Sequence, residues 1–178
     1  MEDYERRMNE LLGQIVEDTQ KFLEENPTLK FYSVGFDCNS EYAEILLCFN
    51  TEESFQKTLN HYQEKYGKSY DTDELICELR FNTGDWEYQG IAVYTVFSEE
   101  ELTEMYHDDY EKISSDMMNF NYELLRRFCQ TQCYNSIPKT DNFKPICADH
   151  DEDAWSALQQ TERMLQGKTA QESWLSRY

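Results

Sequence analysis

The sequence predicts an α+β fold, one domain spanning 1–178 in which an antiparallel or mixed sheet of about four to five strands packs against about four to five helices. Three observations lead there. The apolar period switches between three-to-four and two along the chain in the order α, ββ, α, ββ, α, β, α, which supplies neighbouring strands rather than strictly alternating βαβ units. The 13 Tyr, 10 Phe and 3 Trp provide the large side chains that a core needs and that disordered chains lack. With only 6 Gly and 3 Pro there is no room for a flexible linker between two domains.

Residues 4–23 place Tyr4, Met8, Leu11, Leu12, Ile15, Val16, Thr19, Phe22 and Leu23 at helical spacing with charged residues between them, an amphipathic helix. It stops near Asn26-Pro27, because proline disfavours helical backbone at the residue before it and donates no amide. From Phe31 the period is two, with Tyr32, Val34 and Phe36 alternating with Ser33, Gly35 and Asp37. Turn residues at 37–40 then lead to a second strand over 44–49, giving a hairpin. Residues 45–49 are apolar at every position, so both faces of that strand are expected to be covered, one of them by the first helix. Asn50 with Glu53 reads as a capping box for a helix carrying Phe55, Leu59, Tyr62 and Tyr66 on one side and ending at Gly67.

Residues 75–81 read as a third strand, followed by the turn cluster Asn82-Thr83-Gly84-Asp85 and by Trp86 and Tyr88 at strand spacing. Periodicity leaves 91–97 open between a fourth strand and the start of a helix. Ser98 with Glu101 is another capping box; it opens the longest element, a helix carrying Tyr106, Tyr110, Ile113, Met117, Phe120, Leu124 and Phe128, with a break near Ser114-Ser115. A last short strand over 143–148 precedes a helix capped by Asp151, carrying Trp155, Leu158 and Leu165 and ending at Gly167. Residues 168–178 form a C-terminal tail.

Against 36 Asp and Glu stand 16 Lys and Arg, a formal charge of −20. Such a surface is repelled by phosphate backbones and anionic headgroups, whose binding depends on Lys and Arg displacing counterions, so neither direct nucleic-acid binding nor membrane binding is expected. No apolar run approaches the roughly 18–20 residues needed to span a bilayer. The N-terminus, MEDYERRMNE, carries no secretory signal pattern, which points to the cytoplasm. The six cysteines, Cys38, Cys48, Cys77, Cys129, Cys133 and Cys147, form no CxxC pair and no compact disulfide spacing, and read as reduced, mostly buried thiols.

The most chemically suggestive stretch is Asp149-His150-Asp151-Glu152-Asp153. Oxygen ligands with an imidazole suit a divalent metal whose bound water could act as nucleophile. The competing reading needs no metal, since acids in a helix's first turn are stabilised by its free amides and dipole, by about 0.3–1 kcal/mol each. The second candidate is Asp85-Trp86 with Tyr88, a charge beside an aromatic anchor as at binding interfaces; equally, Trp86 is the plug of the core. The run 99–111 holds seven acids and no Lys or Arg, a solvated face by default, with His107 at its edge. No GxSxG, HExxH, phosphate-loop or dinucleotide motif is present, and Cys147 three residues from His150 is the one cysteine–histidine proximity.

The segments Asn50-Thr51-Glu52-Glu53, Gly84-Asp85-Trp86-Glu87-Tyr88-Gln89 and Ala148-Asp149-His150-Asp151-Glu152-Asp153-Ala154-Trp155 resemble the markers of an uncharacterised bacterial family of about this length, a domain of unknown function. The resemblance covers nearly the whole chain and implies no catalytic residue. Similar acidic α+β proteins occur as immunity proteins in bacterial polymorphic-toxin systems.

A charge of −20 far exceeds the magnitude of about 2–8 that keeps a small domain soluble. The expected function is therefore a cytoplasmic binding protein, of the immunity type, that neutralises a basic toxin or nuclease domain without a cofactor. Its contact residues would be Asp85, Trp86, Tyr88, Asp149, Asp151, Glu152, Asp153 and Trp155. The rival is a metal-dependent hydrolase built on Asp149, His150 and Asp151, and a third reading attributes the acidity to a salt-rich cytoplasm.

Overall fold

A computed structural model describes residues 2–67, 70, 72–107 and 109–167; the expected tail at 168–178 lies outside them. The first helix, α1 (Glu2–Glu25), buries the stripe Met8, Leu11, Ile15, Thr19 and Phe22 that its spacing foretells. At its end the Asn26 side-chain amide donates to the Phe22 carbonyl at 2.9 Å, satisfying one of the acceptors a helix terminus leaves free. The hairpin follows as β1 (Phe31–Asn39) and β2 (Glu44–Thr51), joined through a 3-10 turn at Ser40–Tyr42.

Strand β3 (Tyr88–Thr95) pairs antiparallel with β2, and β4 (Lys139–Asp149) pairs parallel with β1, giving a mixed four-stranded sheet in the order β3-β2-β1-β4. A bulge between Phe31 and Ser33 shifts the alternation of β1. Phe31 therefore shares one face with Val34, Phe36 and Cys38, while Tyr32 enters the core on the other. One face is covered by α1, α4 (Glu99–Tyr106), α5 (Tyr110–Phe128) and α6 (Gln132–Ser136). The opposite face carries α2 (Glu52–Tyr66), α3 (Asp73–Phe81) and α7 (Ala154–Leu165), with Trp86 wedged among them. Both faces of β2 are covered, as its unbroken apolar run requires.

Helix α7 also shields the outer edge of β4. The Thr161 hydroxyl accepts from the Cys147 amide at 3.0 Å, so an edge group that would otherwise offer itself to another strand is paired. No helix among the described residues is long and apolar enough to cross a membrane.

Several boundaries differ from the sequence reading. Residues 75–81 are helical: Thr72 caps α3 by accepting from the Leu75 amide at 3.3 Å, and Ile76 and Leu79 then turn toward the second core at helical spacing. The cap of α2 is Thr51, whose side chain accepts from the Ser54 amide, while Asn50 remains in β2 and donates to the Tyr32 hydroxyl. The long helix breaks at His107, which adopts φ 53°, and not at Ser114-Ser115. Asp109 caps the second half. With 24 residues α1, not that helix, is the longest element. Residues 91–97 resolve largely as β3, α6 was not foreseen, and the described residues hold seven helices rather than four to five.

The two long helices are tied by charge. Glu123 accepts from Arg126 and Arg127, and Arg127 reaches back to both carboxylate oxygens of Glu5 on α1 at 2.8 and 2.9 Å. Burial alone would raise the Glu123 carboxyl, but the arginine hydrogen bonds and charges outweigh it and hold it below the usual value of 4.5. A depressed folded-state value contributes stability that is present above 4.5 and lost as pH falls through the lower folded value. Glu123→Gln is accordingly expected to lower the urea midpoint at neutral pH, with the gap to wild type closing by about pH 3. A gap unchanged between the two pH values would show that the ionised carboxylate contributes nothing.

Candidate functional site

The acidic stretch at 149–153 does not converge on one point. Asp149 turns toward the face covered by α5, where Ser40 donates to its carboxylate and Ser114 lies within 2.7 Å of Ser40. His150 turns the other way, its Nδ1 standing 3.3 Å from Oδ1 of Asp37. Asp151 points to solvent, and Glu152, half-buried, is pushed up by burial. Asp153, not Asp151, caps α7, accepting from the Ser156 amide at 2.8 Å. Asp149, His150 and Asp151 therefore share no common centre, and among the described residues no group of three or more His, Cys, Asp or Glu is placed to hold a metal ion.

The amides that open α7 are already matched. Glu78 on α3 accepts from the Ala154 and Trp155 amides, each at 2.9 Å, so two helices are locked by one carboxylate. Glu78→Ala is expected to cost about 1–2 kcal/mol in urea unfolding, and Glu78→Gln less, because its amide oxygen can replace one of the two acceptors. Equal losses for the two variants would place the effect elsewhere than in capping.

The Asp85 to Tyr88 segment is structural. Trp86 is 5% exposed, its ring against Tyr32 with centroids 5.9 Å apart, and its Nε1 donates to the Arg80 carbonyl. It cannot serve as an exposed anchor; of its two readings, the core plug is the one realised. Asp85 accepts from the Tyr62 hydroxyl and the Asn82 amide, both at 2.8 Å, and that bond pushes the Tyr62 phenol up to about 12. Tyr88 lies half-buried against Phe22 and Phe31. Among the contact residues expected from sequence, Trp155, 44% exposed, and Asp151 remain free on the surface.

Strand register assembles a different site. Asn39 pairs with Glu44, Glu44 with Thr95, and Cys38 with Asp149, so the turn after β1, the exit of β3 toward α4 and the 149–153 stretch all lie at one end of the sheet. Three strand spacings span only about 14 Å there. A cleft of about 290 Å³ opens at this end, its lining including the acidic residues Glu41, Glu44 and Glu99 and the aromatic residues Tyr42, Phe97 and Tyr110. Ala43, held left-handed at φ 52°, turns the chain sharply between Tyr42 and Glu44.

Two inward groups complete the picture. Asp37 is 2% exposed, and among the described residues Gln89 and His150 are hydrogen-bonded to its carboxylate, each at 3.3 Å. The buried thiols are unsuited to attack: burial raises Cys38 well above its ordinary value and Cys48 to about 12. Cys147 packs against Cys38 with sulfurs 3.6 Å apart, on the face opposite the His150 ring, so no cysteine–histidine pair forms there.

A family model described as a domain of unknown function, DUF4303, matches residues 11–164. The chain belongs to the DUF4303 family. The match includes all four strands and the whole acidic end of the sheet. No curated protein and no solved structure matches the chain. Within this DUF4303 domain, Tyr42, Glu44, Phe97 and Tyr110 were not singled out by sequence as contact residues. The run of acids from Glu99 carried the signal for one wall of the cleft; the opposite wall comes from a hairpin turn that looks like any other.

Proposed function

We propose that this DUF4303 domain is a cytoplasmic acidic binding protein, an immunity-type inhibitor that neutralises a basic toxin or nuclease domain through electrostatically steered association. The observation that carries this reading is the gathering of carboxylates at one end of the sheet. Glu41, Glu44, Glu99 and Asp151 have no ion-pair partner among the described residues, whereas Arg6, Arg7, Lys57, Arg80, Arg126, Arg127 and Lys144 are each bound to an acid within the molecule. Like charges packed within about one or two Debye lengths add their fields, and such a field can raise association rates by about 10–10³-fold. The exposed rings of Tyr42, Tyr110 and Trp155 at and beside this end supply amphipathic anchors of the kind that dominate interface energy.

The test is capture of partners on the immobilised protein from bacterial lysate at low salt, followed by elution with rising salt and an activity assay of what elutes. The expected result is one basic protein in stoichiometric amount whose nuclease or other toxic activity is abolished when the domain is added back. Elution of nothing, or of a protein whose activity is unchanged by the domain, would overturn the reading.

A further inference from the structure

Building on the binding function above, we infer that the cleft between the β1–β2 turn and α4–α5 is the receptor for an arginine side chain of the basic partner protein. At about 290 Å³ it falls at the lower limit of the roughly 300–1,000 Å³ typical of small-molecule sites, a size suited to a single long side chain rather than a cofactor. Its lining residues include three glutamates and no Lys, Arg or His. Tyr42 and Tyr110, 62% and 56% exposed, have neither a hydrogen bond nor a ring partner among the described residues, so their faces are open.

Carboxylates beside open aromatic rings match a guanidinium in particular. Its planar fork can pair with a carboxylate while its face stacks on a ring, whereas a lysine ammonium is more strongly hydrated and cannot stack. The molecule already contains that arrangement, at Arg80, whose guanidinium stacks on Tyr32 and pairs with Glu52, and at Arg7 beside the cleft itself. Arg7 lies with its guanidinium carbon 4.4 Å from the centroid of Phe97, itself a lining residue, and pairs with Glu101 at 2.7 Å. The nearby Lys112 ammonium is drawn toward the Tyr106 ring, at 5.4 Å from its centroid, rather than into the lining.

The inference is tested on the intact chain by amide NMR, titrating N-acetyl-arginine amide alongside its lysine and citrulline counterparts. Saturable shifts are expected at Tyr42, Glu44, Thr95 and Tyr110 with the arginine probe, about tenfold weaker binding of the lysine probe and no saturable response to uncharged citrulline. Glu44→Gln and Tyr110→Ala, whose side chains have no described hydrogen bond, should each weaken the arginine probe about fivefold while leaving the spectrum elsewhere unchanged. Shifts that never saturate and extend equally to Glu24 and Glu25 would overturn the site, as would equal binding of citrulline. An equal response to lysine would overturn the choice of guanidinium. A silent cleft beside salt-dependent capture and inhibition of a basic protein would remove this site and leave the broader binding function standing. A saturable arginine site without such a partner would do the reverse.

Discussion

Replacing Trp86 with alanine is expected to lower the free energy of unfolding by about 3–5 kcal/mol, the usual range for deleting a buried aromatic ring. Most domains have only about 5–15 kcal/mol to lose, so the variant should be close to unfolding at 37 °C. The ring sits where α2, α3 and the sheet meet, edge-on to Tyr32, and its Nε1 supplies one of the two hydrogen bonds that the Arg80 carbonyl accepts, the other coming from the Tyr32 hydroxyl. Gly35 on β1 is matched to it. A Cβ there would stand 2.9 Å from Cζ3 of Trp86, closer than packed carbons tolerate. Gly35→Ala should therefore cost about 1–3 kcal/mol in wild type by overpacking. In the Trp86→Ala background the same substitution should cost far less, because the atoms it meets are gone. Urea unfolding of the four proteins in this cycle decides the matter, and additive losses would show that the indole and the glycine are not coupled.

Reversing charge at Glu44 and Asp151 together is expected to slow association with the basic partner about 10–100-fold at low salt, with the difference vanishing toward about 1 M salt. Both residues belong to the acidic end of the sheet and neither has a described ion-pair or capping duty. Asp153 is unsuitable for this purpose, since its carboxylate caps α7 and its reversal would cost stability as well as field. The charge-matched control is Glu24→Lys with Glu25→Lys, exposed changes at the end of α1, where Phe22 packs on Phe31 and Phe49 at the opposite end of the sheet. Stopped-flow association rates should respond strongly to the first pair and little to the control. Equal slowing by both would mean that net charge, not its placement, governs encounter.

Much of the secondary structure was legible because each signal was local. The stripe from Met8 to Phe22, the proline after Asn26, the capping box at Ser98 and the glycine at 67 each specify their own few residues, and each is realised. Residues 75–81 misled because their apolar content suits a strand as well as a short helix, and the Thr72 hydroxyl that decides between them looks like any loop residue. The break at His107 was unreadable for a related reason. A non-glycine residue at positive φ carries no sequence mark, whereas Ser114, of the serine pair that resembled a break, is used instead to hold the Asp149 network.

The sequence by itself determined the α+β class, the one-domain organisation, the charge of −20 and the stretches where acids concentrate. These depend on period, composition and nearest neighbours. Only the tertiary structure decided what those acids do, because that depends on strand register and on which face each residue meets. Register brought Glu44 beside Thr95 and Asp149 to the same end, gathering at one end of the sheet acids more than a hundred residues apart and making a cleft out of the β1–β2 turn and the exit of β3. The same pairing, which His150 continues just past β4 by donating its amide to the Cys38 carbonyl, turned Asp149 and His150 onto opposite faces, as successive residues along an extended chain point opposite ways. It also buried Asp37, one of the polar positions in an alternating strand, on the second covered face, where Gln89 of β3 and His150 meet its carboxylate and which alternation alone does not announce.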